Sequence, residues 1–185
     1  MTIGLILIDI QNDYFPGGKM ELVGADEAGK NTRTILESAR KNSIPIIHIQ
    51  HLSTRPLATF FVPGTPGADI HQIVRPVADE EVVQKNFPNS FRSTILQDLL
   101  RTHQVDHLLI CGMMTHLCID TTVRAAFDLG YQCTLAADAC ATRDLIWDGK
   151  KIPAEHVQGS FLAALSGIFA EVLSVQDIQK KYSLT

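Results

Sequence analysis

The sequence predicts an α/β fold in which a parallel sheet carries helices on both faces. Short, unbroken apolar runs such as residues 3–8 and 108–111 are typical of strands that are buried on both sides. Segments with helical spacing of apolar residues separate these runs along the chain. Alternation of strands and helices is the pattern that successive β-α-β units produce, and it therefore predicts a parallel sheet.

The other element boundaries follow from apolar spacing and from capping and turn residues. Further strands are predicted at residues 45–49, 81–84, 132–137 and 171–173. Helices are predicted from Asp26 to about Asn42, after Ser93, from Thr115 to Gly130, from Pro153 through Ile168 and after Ser174. Residues 52–79 and 143–152 are predicted to be loops, and a loop as long as the first is usually functional.

Length and composition indicate an ordinary soluble protein. The chain has 185 residues, of which 45% are hydrophobic and 19% charged, and we expect a single domain spanning residues 1–185. The net charge of −4 provides no basic surface for nucleic acid. The apolar N-terminal run is too short for a signal or a membrane span, so we expect a cytoplasmic protein without membrane association. Its four cysteines form no C-x-x-C pair and are expected to be free thiols.

A cysteine stands at the start of the helix that follows the central strand. Gly112 ends that strand, Thr115 is a suitable N-cap, and Cys118 then lies in the first helical turn. Free backbone N–H groups and the positive end of the helix dipole stabilise an anion at this position. We therefore expect Cys118 to have a lowered pKa and to be a nucleophile.

Two further reactive side chains follow strands of the same sheet. Asp9 comes directly after the first strand and Lys85 directly after the third. Because ligands bind at the carboxyl ends of parallel strands, both should lie near Cys118. Asp9 can accept the thiol proton and later activate water, while Lys85 stabilises both anions. With backbone N–H groups near Met114 and Cys118 as an oxyanion hole, the predicted reaction is acyl transfer to water.

Three blocks of this sequence resemble the signature blocks of the isochorismatase-like cysteine hydrolases. They are Asp9-Ile-Gln-Asn-Asp-Tyr-Phe15, Lys85-Asn-Phe-Pro-Asn-Ser-Phe91 and Gly112-Met-Met-Thr-His-Leu-Cys118. The resemblance implies a three-layer α/β/α sandwich with a Rossmann-like central parallel sheet of about six strands. It also implies an Asp9, Lys85, Cys118 triad, a cis peptide between Met113 and Met114, and an oxyanion hole formed by the Met114 and Cys118 N–H groups.

The same resemblance indicates the reaction and the assembly. Family members that cleave a vinyl ether do not rely on the cysteine, so Cys118 favours hydrolysis of a small-molecule amide or related C–N bond through a thioester. This chemistry requires no cofactor. Members are commonly homodimers or higher homo-oligomers, and we expect the same here. A non-catalytic ligand-binding module on this fold is an alternative.

A metal-assisted, nicotinamidase-like deamidase is a second alternative. Nicotinamidases of this family carry a metal-binding Asp-x-His block after the second strand. Here that region reads His48-Ile-Gln-His51, without the aspartate, and His71 lies downstream. Three histidines can bind a metal, but the spacing departs from the family pattern, so no metal site is predicted.

Several large apolar residues near the predicted site are candidates for the substrate pocket. Three lie in the signature blocks and two lie in the predicted loops: Phe15, Phe91 and Leu117, and then Phe61 and Trp147.

Overall fold

A parallel sheet forms the centre of the computed structural model, which describes residues 1–184. Its strands are β1 (Ile3–Ile8), β2 (Ile46–His51), β3 (Glu81–Lys85), β4 (His107–Met113), β5 (Gln132–Ala141) and β8 (Glu171–Leu173). They are arranged in the order β3-β2-β1-β4-β5-β8, and every pairing is parallel. A separate antiparallel hairpin consists of β6 (Leu145–Trp147) and β7 (Lys150–Ile152).

Helices cover both faces of this sheet. They are α1 (Ala25–Lys41), α2 (Leu96–Thr102), α3 (Asp120–Asp128), α4 (Ala154–Leu165) and α5 (Val175–Lys181). A π-helical turn, Thr115–Ile119, leads directly into α3. Short 3-10 turns occur at Asn12–Tyr14, Pro66–Ala68 and Gln72–Val74. The predicted three-layer α/β/α fold is confirmed.

The alternation of side chains along each strand divides the core into two halves. In β1, Leu5 and Leu7 pack with α1 and α5, whereas Ile6 and Ile8 pack on the opposite face with α2 and α3. Both halves are apolar, which explains why β1 is a continuous hydrophobic run rather than an alternating one.

Some element boundaries differ from the sequence predictions. The strand β5 extends to Ala141 because its register with β4 shifts between Ile110 and Gly112, which adds residues beyond the predicted end. The predicted loop 143–152 contains the β6–β7 hairpin. Helix α4 ends at Leu165, so Ile168 is not one of its buried positions and is largely exposed. Ser93 does not cap α2, which begins at Leu96.

Two chemical features of the chain bear on its environment. None of the helices within residues 1–184 has the length and apolar character needed to cross a bilayer. All four cysteines are free thiols, and each is buried.

A buried carboxylate fixes the segment that leads into β3. Glu80 accepts two hydrogen bonds from the Arg40 guanidinium, at 2.6 and 2.9 Å, and lies 2.9 Å from the His48 ring. It also accepts the Val77 N–H at 3.1 Å. Burial opposes its charge, but Arg40 and the other donors outweigh that effect and lower the pKa of Glu80 to about 2. This network ties α1 and β2 to the strand that ends at Lys85.

Replacing Glu80 by Gln should destabilise the protein by about 2–3 kcal/mol at neutral pH, because Arg40 and His48 lose a charged partner in a mostly buried place. The pKa of Glu80 lies below its usual 4.5, so its stabilising effect is complete above that pH and is lost as pH falls towards 2. Urea unfolding from pH 7 to 3 measures both effects. An equal acid-dependent loss of stability in wild type and Glu80→Gln would contradict the assignment.

Candidate active site

The three residues predicted to react lie together at the carboxyl edge of the sheet. Asp9 follows β1, Lys85 ends β3, and Cys118 lies in the π-helical turn after β4. Their side chains are almost completely buried, with exposures of 0%, 1% and 4%. Asp9 has a φ of +52°, a region that is uncommon for residues other than glycine and is often found at functional sites.

Lys85 is the centre of the contacts in this cluster. Its ammonium nitrogen Nζ lies 2.8 Å from Asp9 Oδ2, in an ion pair with no solvent exposure on either side chain. The ammonium also donates to the carbonyls of Phe87 and Pro88, at 3.1 and 3.2 Å. A further contact, at 3.2 Å, joins it to Nδ1 of His51. These acceptors compensate for the removal of the charge from water.

Cys118 lies against this ion pair. Its sulfur, a carboxylate oxygen of Asp9 and a ring nitrogen of His51 all lie within 4.8 Å of one another. Burial raises the pKa of the Cys118 thiol, Asp9 raises it further, and the opposing effect of Lys85 is smaller. The sequence-based prediction of a lowered pKa is therefore wrong for the resting protein, because burial and a carboxylate outweigh the helix terminus and the lysine.

Neighbouring groups stabilise the charged form of Lys85. Burial acts against the charged form of Lys85, but the effects that oppose burial, led by the Asp9 carboxylate, are larger in sum and raise the pKa of Lys85. The resting cluster is thus an Asp9 carboxylate paired with a Lys85 ammonium, beside a neutral thiol. Apart from the ion pair, neither Asp9 oxygen receives a hydrogen bond from the residues that the structure describes. A carboxylate in this state is able to accept a proton from the adjacent thiol.

The backbone between β4 and Cys118 has an unusual conformation. The Met113–Met114 peptide bond is cis. Within residues 1–184, no backbone acceptor takes the Met114 N–H. Thr115 was predicted to cap the helix, but its hydroxyl instead donates to the Ala141 carbonyl at 3.2 Å, and Met114 is the residue at the N-cap. Thr115 therefore ties this turn to β5.

A cavity of about 270 Å³ opens above Cys118. Its lining is mainly apolar and aromatic, with a few polar groups. The lining includes Tyr14, His51, Arg55, Phe60, Phe61, Met114, Leu117 and Cys118. A larger groove of about 560 Å³ lies along β5 and β8, but it contains none of the three reactive residues.

The structure places two of the five predicted pocket residues in this cavity, Phe61 and Leu117. The other three do not line it. Phe15 is in the core, where it stacks on His71 with ring centroids 3.8 Å apart. Phe91 packs against Tyr131 on the other face of the sheet. Trp147 is in the β6–β7 hairpin and is 78% exposed.

The loop that forms much of the cavity wall is held by the first signature block. The Gln11 side chain donates to the carbonyls of His51 and Ala68 and accepts the His51 N–H. Asp13 accepts the Phe61 N–H at 2.7 Å. These polar residues therefore position the cavity wall, a role that the sequence analysis did not assign to them.

Sequence reasoning also missed Tyr14, which lines the cavity. Tyr14 and Phe60 belong to an aromatic group with Phe61, with Tyr14 and Phe61 centroids 4.5 Å apart. Tyr14 follows Asp13 directly, so its closeness to a positioning residue was the available signal. Phe60 lies next to Phe61 in the long loop and, like Phe61, lines the cavity.

The three histidines considered as metal ligands have separate partners. His48 contacts Glu80, His71 stacks on Phe15, and His51 contacts Lys85. Among the described residues, the ligand atoms that converge belong to Asp9, His51 and Cys118 instead. A cation at that place would have to displace the Lys85 ammonium from both Asp9 and His51, so these residues fit a metal poorly.

The chain matches the Isochorismatase domain family over residues 4–177, and it belongs to that family. It is a hydrolase of the isochorismatase family. The YddQ protein of Bacillus subtilis, an isochorismatase-family protein, is 46% identical over 180 residues, which cover 97% of this chain and all of that protein.

Solved structures and enzymes of the family agree with this assignment. A crystal structure described as an isochorismatase hydrolase, from Oleispira antarctica, is 44% identical, with a TM-score of 0.93 over 96% of this chain and 95% of that one. Nicotinamidase 3 of Arabidopsis thaliana is 29% identical over 150 residues, which cover 75% of this chain and 72% of that enzyme.

Gly112 allows β4 to approach β1 beside the site. Its φ is +131°, and a Cβ there would overlap the Ile8 carbonyl oxygen, directly before Asp9. Gly112→Ala should therefore destabilise the protein by at least about 2 kcal/mol and reduce any activity of the site. Gly159→Ala is the matched control, since a Cβ at this position of α4 meets nothing within 4 Å. Thermal unfolding that gives equal effects for both variants would contradict the assigned close approach.

Proposed function

We propose that this chain is a cysteine hydrolase that cleaves a small-molecule amide, or a related C–N or acyl bond, through a thioester on Cys118. The observation that carries the proposal is the buried Asp9–Lys85 ion pair against the Cys118 thiol, at the base of a cavity. Such an arrangement provides a nucleophile, an adjacent base and a fixed positive charge.

In the first step the thiol attacks the substrate carbonyl while Asp9 takes its proton. Because the resting thiol is neutral, its proton moves to Asp9 during the attack and not in an earlier ionisation step. Lys85 remains charged and stabilises the sulfur as negative charge develops on it. The C–N bond then breaks, the amine leaves with the proton, and the acyl group stays on Cys118.

In the second step water hydrolyses the thioester. Asp9, again a carboxylate, receives a proton from the attacking water. The C–S bond breaks, the acid product forms, and the sulfur recovers its proton from Asp9. Atoms and protons balance over the two steps, so the reaction requires no cofactor.

The N–H groups of Met114 and Cys118 are proposed as the oxyanion hole. The proposal is supported by the absence of a backbone acceptor for the Met114 N–H within the described chain. It is also supported by the position of Cys118 near the start of a helical segment, where N–H groups are free to donate.

The cavity and a relative in the family support the proposed substrate class. A cavity of about 270 Å³ with Phe60, Phe61 and Leu117 in its wall suits a small, partly apolar molecule. A relative named as a nicotinamidase supports an amide as the bond that is cleaved. We further propose that the chain acts as one domain, in the cytoplasm, and as a homodimer or higher homo-oligomer.

The decisive experiment screens small amides and activated acyl compounds, and traps the acyl-enzyme by mass spectrometry of the intact protein. Cys118→Ala should lose hydrolysis by at least about 10³-fold, because nucleophilic attack is no longer available. Cys133→Ala is the matched control, since Cys133 is a buried thiol in β5, outside the cavity. It should retain activity.

Two results would contradict the proposal. Equal activity in Cys118→Ala and wild type would exclude a thioester on this residue. Binding of small ligands in the cavity, with no acylation by any activated acyl compound, would instead support a non-catalytic ligand-binding module.

A further inference from the structure

We propose that His51 is a further catalytic residue, which delivers the proton to the leaving-group nitrogen. This inference rests on the proposed amide hydrolysis. It begins from the position of His51, which ends β2, lies between Lys85 and the cavity and is half-buried. The proposed role concerns the departure of the amine. Of the Asp9, Lys85 and Cys118 cluster only Cys118 lines the cavity, whereas His51 lines it as well.

The tautomer of His51 follows from its contact with Lys85. An ammonium group has only donors, so Nδ1, at 3.2 Å from Lys85 Nζ, must accept. Burial lowers the pKa of the His51 imidazole, Lys85 and Arg55 act in the same direction, and Asp9 acts against them. The ring is therefore neutral, and its one proton is on Nε2. Within residues 1–184 no group pairs with Nε2, which leaves this N–H available to a molecule in the cavity.

The ring also lies at the right range from the nucleophile. A ring nitrogen of His51 is within 4.8 Å of the Cys118 sulfur and of an Asp9 oxygen. When the sulfur has attacked, the substrate carbonyl carbon is bonded both to the sulfur and to the leaving nitrogen. Because His51 and Cys118 line the same cavity, that nitrogen can come within hydrogen-bond reach of the imidazole.

Hydrogen bonds to the backbone of His51 fix the position from which its ring extends. The Gln11 side chain accepts the His51 N–H at 2.8 Å and donates to the His51 carbonyl at 2.9 Å. A catalytic group that is fixed in this way needs little reorganisation when the substrate binds.

The contacts form a continuous proton path from the thiol to the amine. Asp9 takes the thiol proton and lies 2.8 Å from Lys85, which lies 3.2 Å from His51 Nδ1. As the C–N bond breaks, Nε2 gives its proton to nitrogen, Nδ1 takes one from Lys85, and Lys85 takes the one held by Asp9. The amine leaves neutral, and Asp9 and Lys85 return to their charged forms. Water then returns a proton along the same path to Asp9, which restores the original tautomer and finally the thiol.

Two substitutions separate the two nitrogens of His51. His51→Asn keeps an acceptor near the Nδ1 position for Lys85 but removes the group that faces the cavity. His51→Gln keeps a donor near the Nε2 position, but an amide N–H cannot give up its proton. Each variant is compared with wild type on 4-nitrophenyl acetate, whose leaving group departs as a stable anion, and on 4-nitroacetanilide, whose leaving amine needs a proton.

We expect both variants to lose about 10²-fold or more in kcat/KM on the anilide. On the ester, the loss in kcat/KM should be smaller than the loss on the anilide by a factor of at least about ten. Equal losses on both substrates would overturn the proposal, because a merely structural role does not depend on the leaving group. Anilide activity recovered in His51→Gln would also overturn it, since a hydrogen bond alone would then suffice.

The same experiment distinguishes failure of this proposal from failure of the proposed function. A wild-type protein that the ester acylates on Cys118, but that cleaves no anilide, would overturn proton delivery by His51 and leave the thioester chemistry intact. A wild-type protein that neither compound acylates would overturn the proposed function and this inference with it.

Discussion

The ion pair between Asp9 and Lys85 is the interaction on which the rest of the site depends. Two opposite charges with no solvent exposure are stable only if their geometry is good and the remaining hydrogen-bonding capacity is satisfied. The carbonyls of Phe87 and Pro88 supply acceptors for Lys85. The parallel sheet supplies the geometry, because Asp9 and Lys85 come from strands on either side of β2. The Glu80 network, which anchors the start of β3, therefore supports the site from a distance.

This ion pair determines how the cysteine can be used. A thiol beside a lysine alone would ionise readily, whereas a thiol beside a buried carboxylate keeps its proton. In the proposed mechanism Cys118 stays a neutral thiol until a carbonyl lies in the cavity, and it loses its proton during the attack. A neutral nucleophile in an apolar cavity also avoids the cost of keeping a free thiolate there.

The sequence predicted the layout of the fold and site well where a local pattern determines it. Continuous apolar runs revealed strands covered on both faces, and strand ends placed Asp9, Lys85 and Cys118 at one edge. The features that the sequence did not predict depend on residues that are far apart in the sequence and meet only in the fold. The raised pKa of Cys118 reflects burial and Asp9, which no helix-terminus rule contains. Phe15, Phe91 and Trp147 are aromatic residues near the signature blocks or in a loop, but only tertiary packing decides which aromatic rings reach the cavity.

Asp9 raises the pKa of the Cys118 thiol, and Lys85 opposes this effect. The direct measurement is the pH dependence of Cys118 alkylation by iodoacetamide, with the site assigned by mass spectrometry, in wild type, Asp9→Asn and Lys85→Met. We expect a thiol pKa above that of free cysteine in wild type, a lower pKa in Asp9→Asn and a higher one in Lys85→Met. Asp9→Asn should then be alkylated faster at neutral pH although it hydrolyses no substrate. A wild-type thiolate already formed below neutral pH, and unchanged by Asp9→Asn, would show that Asp9 does not raise the pKa of Cys118.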